Sequence, residues 1–252
     1  MSQTLPVPLK SLEQWHSPSS RTDVINELIH GVDRYNPTNL SWMEEYLGTQ
    51  VRDGEYDLLA NLAILKLYQF NPQLSNPDVI INILLKSLAA TVHGPDFNLC
   101  LSLLREPAAI LHDIDSEEQS LAVVMPFLQH LHDLIRQCQF TNFWKELNGS
   151  SEGATILKEA YIPQHSNFIS SLRTLFATSI ASSFSRIQTK RLVNWLDLSE
   201  DEVKQWAESA QWKVEGDLVE IPGNGDNDVK AGVVKENVEL SQLAKLIANA
   251  GY

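Results

Sequence analysis

The run from Tyr56 to Phe70 constrains the fold more than any other stretch of the chain. Placed at about 100° per residue, Leu58, Leu59, Leu62, Ile64, Leu65, Leu67, Tyr68 and Phe70 fall on every side, and only Asp57, Asn61, Lys66 and Gln69 interrupt them. A helix that is apolar all round belongs in a core rather than on a surface. The run is too long for a buried strand, and its Leu, Ala and Lys content favours helix. Asn71-Pro72 ends it, because a residue before proline is pushed out of the α region. A core helix needs other helices around it, and the neighbouring sequence supplies them.

Asn36 can cap a preceding helix with Pro37 at its first position, followed by Leu40, Met43, Leu47 and Val51 at helical spacing. Arg34-Tyr35-Asn36 is then a helix-to-helix corner. Upstream, Val24, Ile25, Leu28, Ile29 and Val32 mark a first amphipathic helix, after a Pro- and Ser-bearing leader over 1–20 that shows no period. Downstream, Asn76-Pro77 repeats the cap-plus-proline start ahead of Val79, Ile80, Ile83, Leu84 and Leu88. Pro95 opens a fifth helix through Phe97, Leu99, Leu101 and Leu104, which Pro107 closes. Ser116 with Gln119 reads as a capping box, and Pro126 either kinks or breaks the helix that follows before Phe127, Leu128, Leu131, Leu134 and Ile135. A short helix from Thr141 to Leu147 is anchored by Phe143, Trp144 and Leu147. Helix, corner, helix is the recurring unit, as in helical solenoids, although the units share no sequence self-similarity.

The pattern changes after the small polar residues Asn148 to Gly153. Phe168, Ile169, Leu172, Leu175, Phe176 and Ile180 predict a helix over 167–183, and a polar link ending at Ile187 precedes one with Leu192, Val193 and Leu196. Ser199 and Glu202 form a capping box for a third helix, and two β-like runs, Trp212 to Val214 and Leu218 to Ile221, meet at Glu215-Gly216-Asp217. Three helices and then a hairpin is the order of a winged helix. The expected fold class is therefore mainly α: a helical-repeat (HEAT/PCI-like) domain, a winged-helix domain and a C-terminal helix. The boundaries read as a flexible leader over 1–20, helical repeat over 21–148, linker over 149–164, winged helix over 165–222, loop over 223–237 and terminal helix over 238–252.

Several stretches carry a specific likeness. DRYNP followed by YDLLANLAILKLYQFNP, then Asp96-Phe97-Asn98-Leu99-Cys100 and Cys138-Gln139-Phe140-Thr141-Asn142-Phe143-Trp144, in that order, resemble the k subunit of eukaryotic translation initiation factor 3. The likeness runs from about residue 22 to 252, with the 107–126 segment longer than its counterpart. It implies a scaffold subunit that contacts neighbouring subunits, notably the l subunit, and supports small ribosomal subunit binding and preinitiation complex assembly. The same pairing of helical repeat and winged helix occurs in subunits of the proteasome lid and the signalosome. Those assemblies, and a winged-helix nucleic-acid regulator, are the alternatives.

Charge opposes the regulator. The chain carries 19 basic and 32 acidic residues, a net −13, which disfavours acidic partners in general, and nucleic-acid affinity comes from neutralising phosphates with Lys and Arg. The helix that would enter a groove bears Glu200, Asp201, Glu202 and Glu208 against Lys204, so no direct DNA binding is expected. Arg186, Lys190 and Arg191 are a small basic cluster. His130 and His132 stand two apart, which points them to different helix faces, and nothing completes a ligand set around His112, Asp113 and Asp115. No nucleophile elbow, phosphate loop or zinc-helix motif occurs in the sequence, and Gly223-Asn224-Gly225 lacks the third glycine and the following helix of a dinucleotide loop. No enzyme activity, cofactor or metal is expected. Cys100 and Cys138, without metal spacing, read as buried free thiols. The absence of a secretory start and of an apolar run near the ~20 residues needed to span a bilayer leads to a cytoplasmic, non-membrane expectation. For partner contacts the candidates are Trp206 and Trp212, which could equally pack in the core, and the stripe Leu240, Leu243, Leu246 and Ile247 on the terminal helix.

Overall fold

The computed structural model describes residues 18–104 and 120–228, together with positions 244, 247 and 248. Capping chemistry starts most of its helices. Thr22 accepts from the Ile25 N–H to open α1 (Asp23–His30), which buries Ile25 and Ile29. Two 3₁₀ turns, Val32–Tyr35 and Pro37–Asn39, build the corner, so α2 (Leu40–Asp53) begins three residues later than the Asn36-Pro37 signal suggests. Asn36 does cap, but what it caps is the 3₁₀ turn, through the Thr38 N–H. Asp57 caps α3 (Leu58–Phe70), and its carboxylate also receives both Nε and Nη2 of Arg21, at 2.6 and 2.8 Å. That buried bidentate pair, with the Tyr46 hydroxyl donating to the same carboxylate, ties the chain before α1 to the start of the core helix.

α3 is enclosed for most of its length. Ala60, Ile64, Leu65 and Tyr68 have no exposure, while Leu62 is only half-buried and Phe70 is 61% exposed. All-round burial thus fails along one side of the helix, where Leu59, Leu62 and Ala63 are half-buried, and at the last turn, where Phe70 is exposed. α4 (Pro77–Leu88), capped by Asn76, and α5 (Asp96–Leu103) pack beside it. The Ser116 and Gln119 capping box lies outside the described residues, as do His112, Asp113 and Asp115.

α6 (Ser120–Arg136) passes through Pro126 without ending. Pro126 is exposed, so its ring and the backbone bond it forfeits lie on the solvent side. The helix closes on Cys138, at φ 54°, with Gln139 N–H donating to Leu134 O and Cys138 N–H to Ile135 O. This is the Schellman arrangement that usually takes glycine. It places Cys138 outside, which corrects the expectation of a buried thiol; Cys100 is buried, and both are free.

α7 (Phe140–Leu147) is followed by α8 (Glu152–Ile156), capped by Ser151, and a π turn over Leu157–Tyr161. The stretch read as a linker over 149–164 is therefore helix from residue 152. Ala154, Leu157 and Tyr161 bury against the core, and α8 packs on α6 so closely that a Cβ on Gly153 would stand 2.8 Å from Phe127. The polar run at 148–153 marks only the turn.

The winged helix then follows: α9 (Phe168–Ser183), β1 (Arg186–Gln188), α10 (Thr189–Leu196), α11 (Glu200–Ser209), β2 (Lys213–Glu215) and β3 (Leu218–Glu220). The sheet is antiparallel in the order β1-β3-β2, with Ile187 and Val214 both opposite Val219. β1 replaces the expected polar link. The Ser199–Glu202 capping box forms as expected.

One buried apolar cluster runs from Ile25 to Ile221 without a break between the two halves. Gly54, left-handed at φ 72°, ends α2 beside Asn167, and a Cβ there would lie 2.2 Å from the Asn167 amide nitrogen. His165 donates from Nε2 to Asn82 Oδ1 at 2.8 Å, and Lys86 Nζ donates to the Gln50 carbonyl at 2.9 Å. On the other flank Trp144 Nε1 donates to Trp195 O, and Arg173 donates to the carbonyls of Leu196 and Asp197.

Candidate interaction surfaces

The winged helix shows an acidic face where a groove-reading helix would be basic. Glu200, Asp201, Glu202 and Glu208 are exposed on α11, and Lys204 is engaged by Asp201 at 3.5 Å. Glu202 receives the Ser199 N–H and hydroxyl, bonds that hold its carboxyl below the usual range. In the basic cluster Lys190 and Arg191 are exposed, but Arg186 is paired with Glu220 at 2.8 Å.

Trp206 and Trp212 meet each other. Their rings stand 5.1 Å apart at 83°, Trp212 is 8% exposed, and its N–H donates to Ala207 O. Trp212 is a core residue of the wing; Trp206, half-buried, covers it. Of the terminal stripe, Leu240, Leu243 and Leu246 lie outside the described residues, and Ile247, in helix, is 71% exposed.

A surface that sequence reasoning missed lies where the turn after α1 meets the end of α3. Tyr35 and Phe70 make an edge contact at 6.3 Å, Arg34 stacks over Tyr35 at 4.6 Å, and the Lys66 ammonium stands 4.8 Å from the Phe70 ring centre. Two clues were available: Lys66 and Phe70 are four apart on one helix face, and Phe70 stands just ahead of the Asn71-Pro72 corner that ends the helix.

Buried titratable groups are used between helices. Tyr56 donates to Asp96 at 2.8 Å, Tyr161 to Asp78 at 2.5 Å and Tyr68 to Glu44. Burial and these carboxylates raise the Tyr56 and Tyr68 phenols well above their ordinary value. Burial pushes the Cys100 thiol up to about 12, which removes its nucleophilic form at neutral pH. His165 is lowered to about 4 by burial and by the Lys86 charge. His132 is buried and stacked on Phe97 at 4.4 Å, with its pKa lowered mainly by burial, while His130 is exposed. Among the described residues no three His, Cys, Asp or Glu side chains come together as a metal site. A small cleft lined by Gly54, Tyr56, Lys86, His165, Asn167 and Ser171 sits on the seam between the halves.

The arrangement is one of surfaces and seams. The model of the CSN8/PSMD8/EIF3K family matches residues 74–232. The chain belongs to this family. Within it the chain is similar to the protein named eukaryotic translation initiation factor 3 subunit K of Cryptococcus neoformans var. neoformans, at 62% identity over 96% of this chain and 97% of that one. Proteins of the same name from Mycosarcoma maydis and Sclerotinia sclerotiorum are 38% and 34% identical, over 95% of both chains and over 91% and 94% respectively. The resemblance read from DRYNP and YQFNP thus extends along almost the whole chain, and the helical architecture fits this PCI-like family.

Proposed function

We propose that the chain is a non-catalytic scaffold subunit of the eukaryotic translation initiation factor 3 complex. It makes protein–protein contacts with neighbouring subunits, notably the l subunit, and through the complex supports small ribosomal subunit binding and preinitiation complex assembly in the cytoplasm. The observation that carries this reading is the 62% identity along 96% of the chain to a protein of that name. The acidic face of α11 supports contacts with proteins rather than with DNA. No helix among the described residues is long and apolar enough to cross a membrane.

Partner contacts are assigned to the terminal helix. Ile247 is 71% exposed, and an apolar stripe of Leu240, Leu243, Leu246 and Ile247 left in water would make a helix of about twelve residues marginal on its own. Docking with helices of other subunits covers it. Trp206 is the half-exposed part of the tryptophan pair available to a partner.

Affinity purification of the tagged protein from its own cytosol tests the reading. Co-purification of initiation-factor subunits is expected; recovery of proteasome-lid or signalosome subunits, or of chromatin, would replace it. Deleting residues 237–252 should leave the melting temperature of the isolated protein unchanged and reduce the recovery of partners.

A further inference from the structure

The corner between α1 and α2 and the end of α3 form a ladder of cation, ring, ring and cation, Arg34, Tyr35, Phe70 and Lys66, in which Arg34 and both rings are exposed and Lys66 is half-buried. Tyr35 is 50% exposed, and Val32, in the same 3₁₀ turn, is 87% exposed. Leu74, in the turn directly after α3, is exposed as well. Single exposed apolar residues are ordinary on protein surfaces. Here, however, Val32 and Tyr35 share a turn that packs on α3, and Phe70 and Leu74 sit at the end of that same helix, so their side chains belong to one corner of the fold.

The cations are the second observation. In a chain with 32 acidic residues, the ion pairs among the described residues engage Arg21, Arg186, Lys204 and Lys213. Arg34 and Lys66 are in none of these pairs; they stand against exposed rings, and among the described residues the Lys66 ammonium otherwise donates to Gln69 Oε1, at 2.7 Å. A cation held over an aromatic face keeps donors free for an incoming carboxylate.

We infer that this corner docks an acidic segment of a neighbouring protein, one that places an apolar side chain on Tyr35 and Phe70 and carboxylates on Arg34 and Lys66. The inference rests on the reading of the chain as a subunit of a larger assembly. Exposed rings beside cations also suit stacked nucleobases. The net charge of −13 opposes acidic partners in general, and Arg34 and Lys66 are a local exception large enough for one or two carboxylates; a nucleic-acid strand draws its affinity from a run of neutralised phosphates, and two cations beside the exposed Asp33 do not make such a run. Opposite charge also steers docking and fixes its register.

The test uses the full-length protein in the assembled complex, with Phe70 replaced by the photo-crosslinker p-benzoylphenylalanine and the crosslinked peptides sequenced by mass spectrometry. The expected product joins position 70 to one acidic, apolar-bearing segment of another protein. Its yield should fall roughly tenfold in the Arg34→Glu, Lys66→Glu double variant, whose melting temperature should match that of the parent. Crosslinking to RNA, to residues 1–17 of the same chain, to scattered sites or to nothing would overturn the inference, as would a yield indifferent to charge reversal. Failure of the tagged protein to recover initiation-factor subunits would instead overturn the functional reading, so the two failures are distinct.

Discussion

Two aromatic pairs meet edge to face in different parts of the fold: Tyr35 with Phe70, at 66°, and Trp206 with Trp212, at 83°. The tryptophans lie between α11 and the wing, and their backbone is joined through Trp212 N–H to Ala207 O. Phe70 ends α3 and Tyr35 ends the 3₁₀ turn beside it, and the company of both exposed rings is a pair of cations. Similar ring geometry therefore serves burial in one place and presentation in the other, and what decides is the number of sides that the rest of the chain covers.

Substitution should separate the two pairs. Trp212→Ala should cost about 3–5 kcal/mol, within a total stability of about 5–15, and lower the urea midpoint without changing the slope. A loss no greater than that of Phe70→Ala would dissolve the distinction. On α3 the contrast can be drawn within one helix: Leu65→Ala, at a position with no exposure, should cost about 2–5 kcal/mol.

A third ring sharpens the comparison because it titrates. His165 is buried in the seam, with its folded pKa near 4 against an ordinary 6.5. The unfolded chain therefore binds the proton more readily, so the stability contributed by neutral His165 is complete above about pH 6.5 and declines as pH falls towards 4. About 2 kcal/mol should be lost between pH 7 and pH 5, and His165→Gln should flatten that part of the profile in thermal melts. An unchanged slope in the variant would place the titration elsewhere. The smallest effect belongs to Phe70→Ala, expected at about 1 kcal/mol or less by the same urea unfolding.

Local chemistry was legible where it is self-contained. Asn76-Pro77 and the Ser199–Glu202 box open their helices as read, because a cap needs only residues within one turn. β1 was not legible: it has one buried residue, Ile187, and exists through pairing with Val219, which lies far along the chain. Cys138 and Phe70 misled for the same reason. Both are apolar residues in or beside apolar helices, and their exposure depends on where the neighbouring helices stop. Of the candidate site residues, the tryptophans fitted core packing between the third helix and the wing as well as a partner-facing role, and sequence could not choose between the two; the Tyr35–Phe70 corner was hidden because its two rings come from separate helical units.

Gly54 has a consequence in time. A chain leaves the ribosome N-terminus first, at about 5–20 residues per second, so α2 is complete on the order of ten seconds before Asn167 emerges. Throughout that interval the place beside residue 54 stands vacant, and it is reserved only because glycine puts nothing there. A larger residue at 54 would settle into the vacancy first, and α9 would arrive to find its seat taken. The cost of such a change would fall on the nascent chain, as slower closure of the second half onto the first, before it appeared in any measurement on the finished protein.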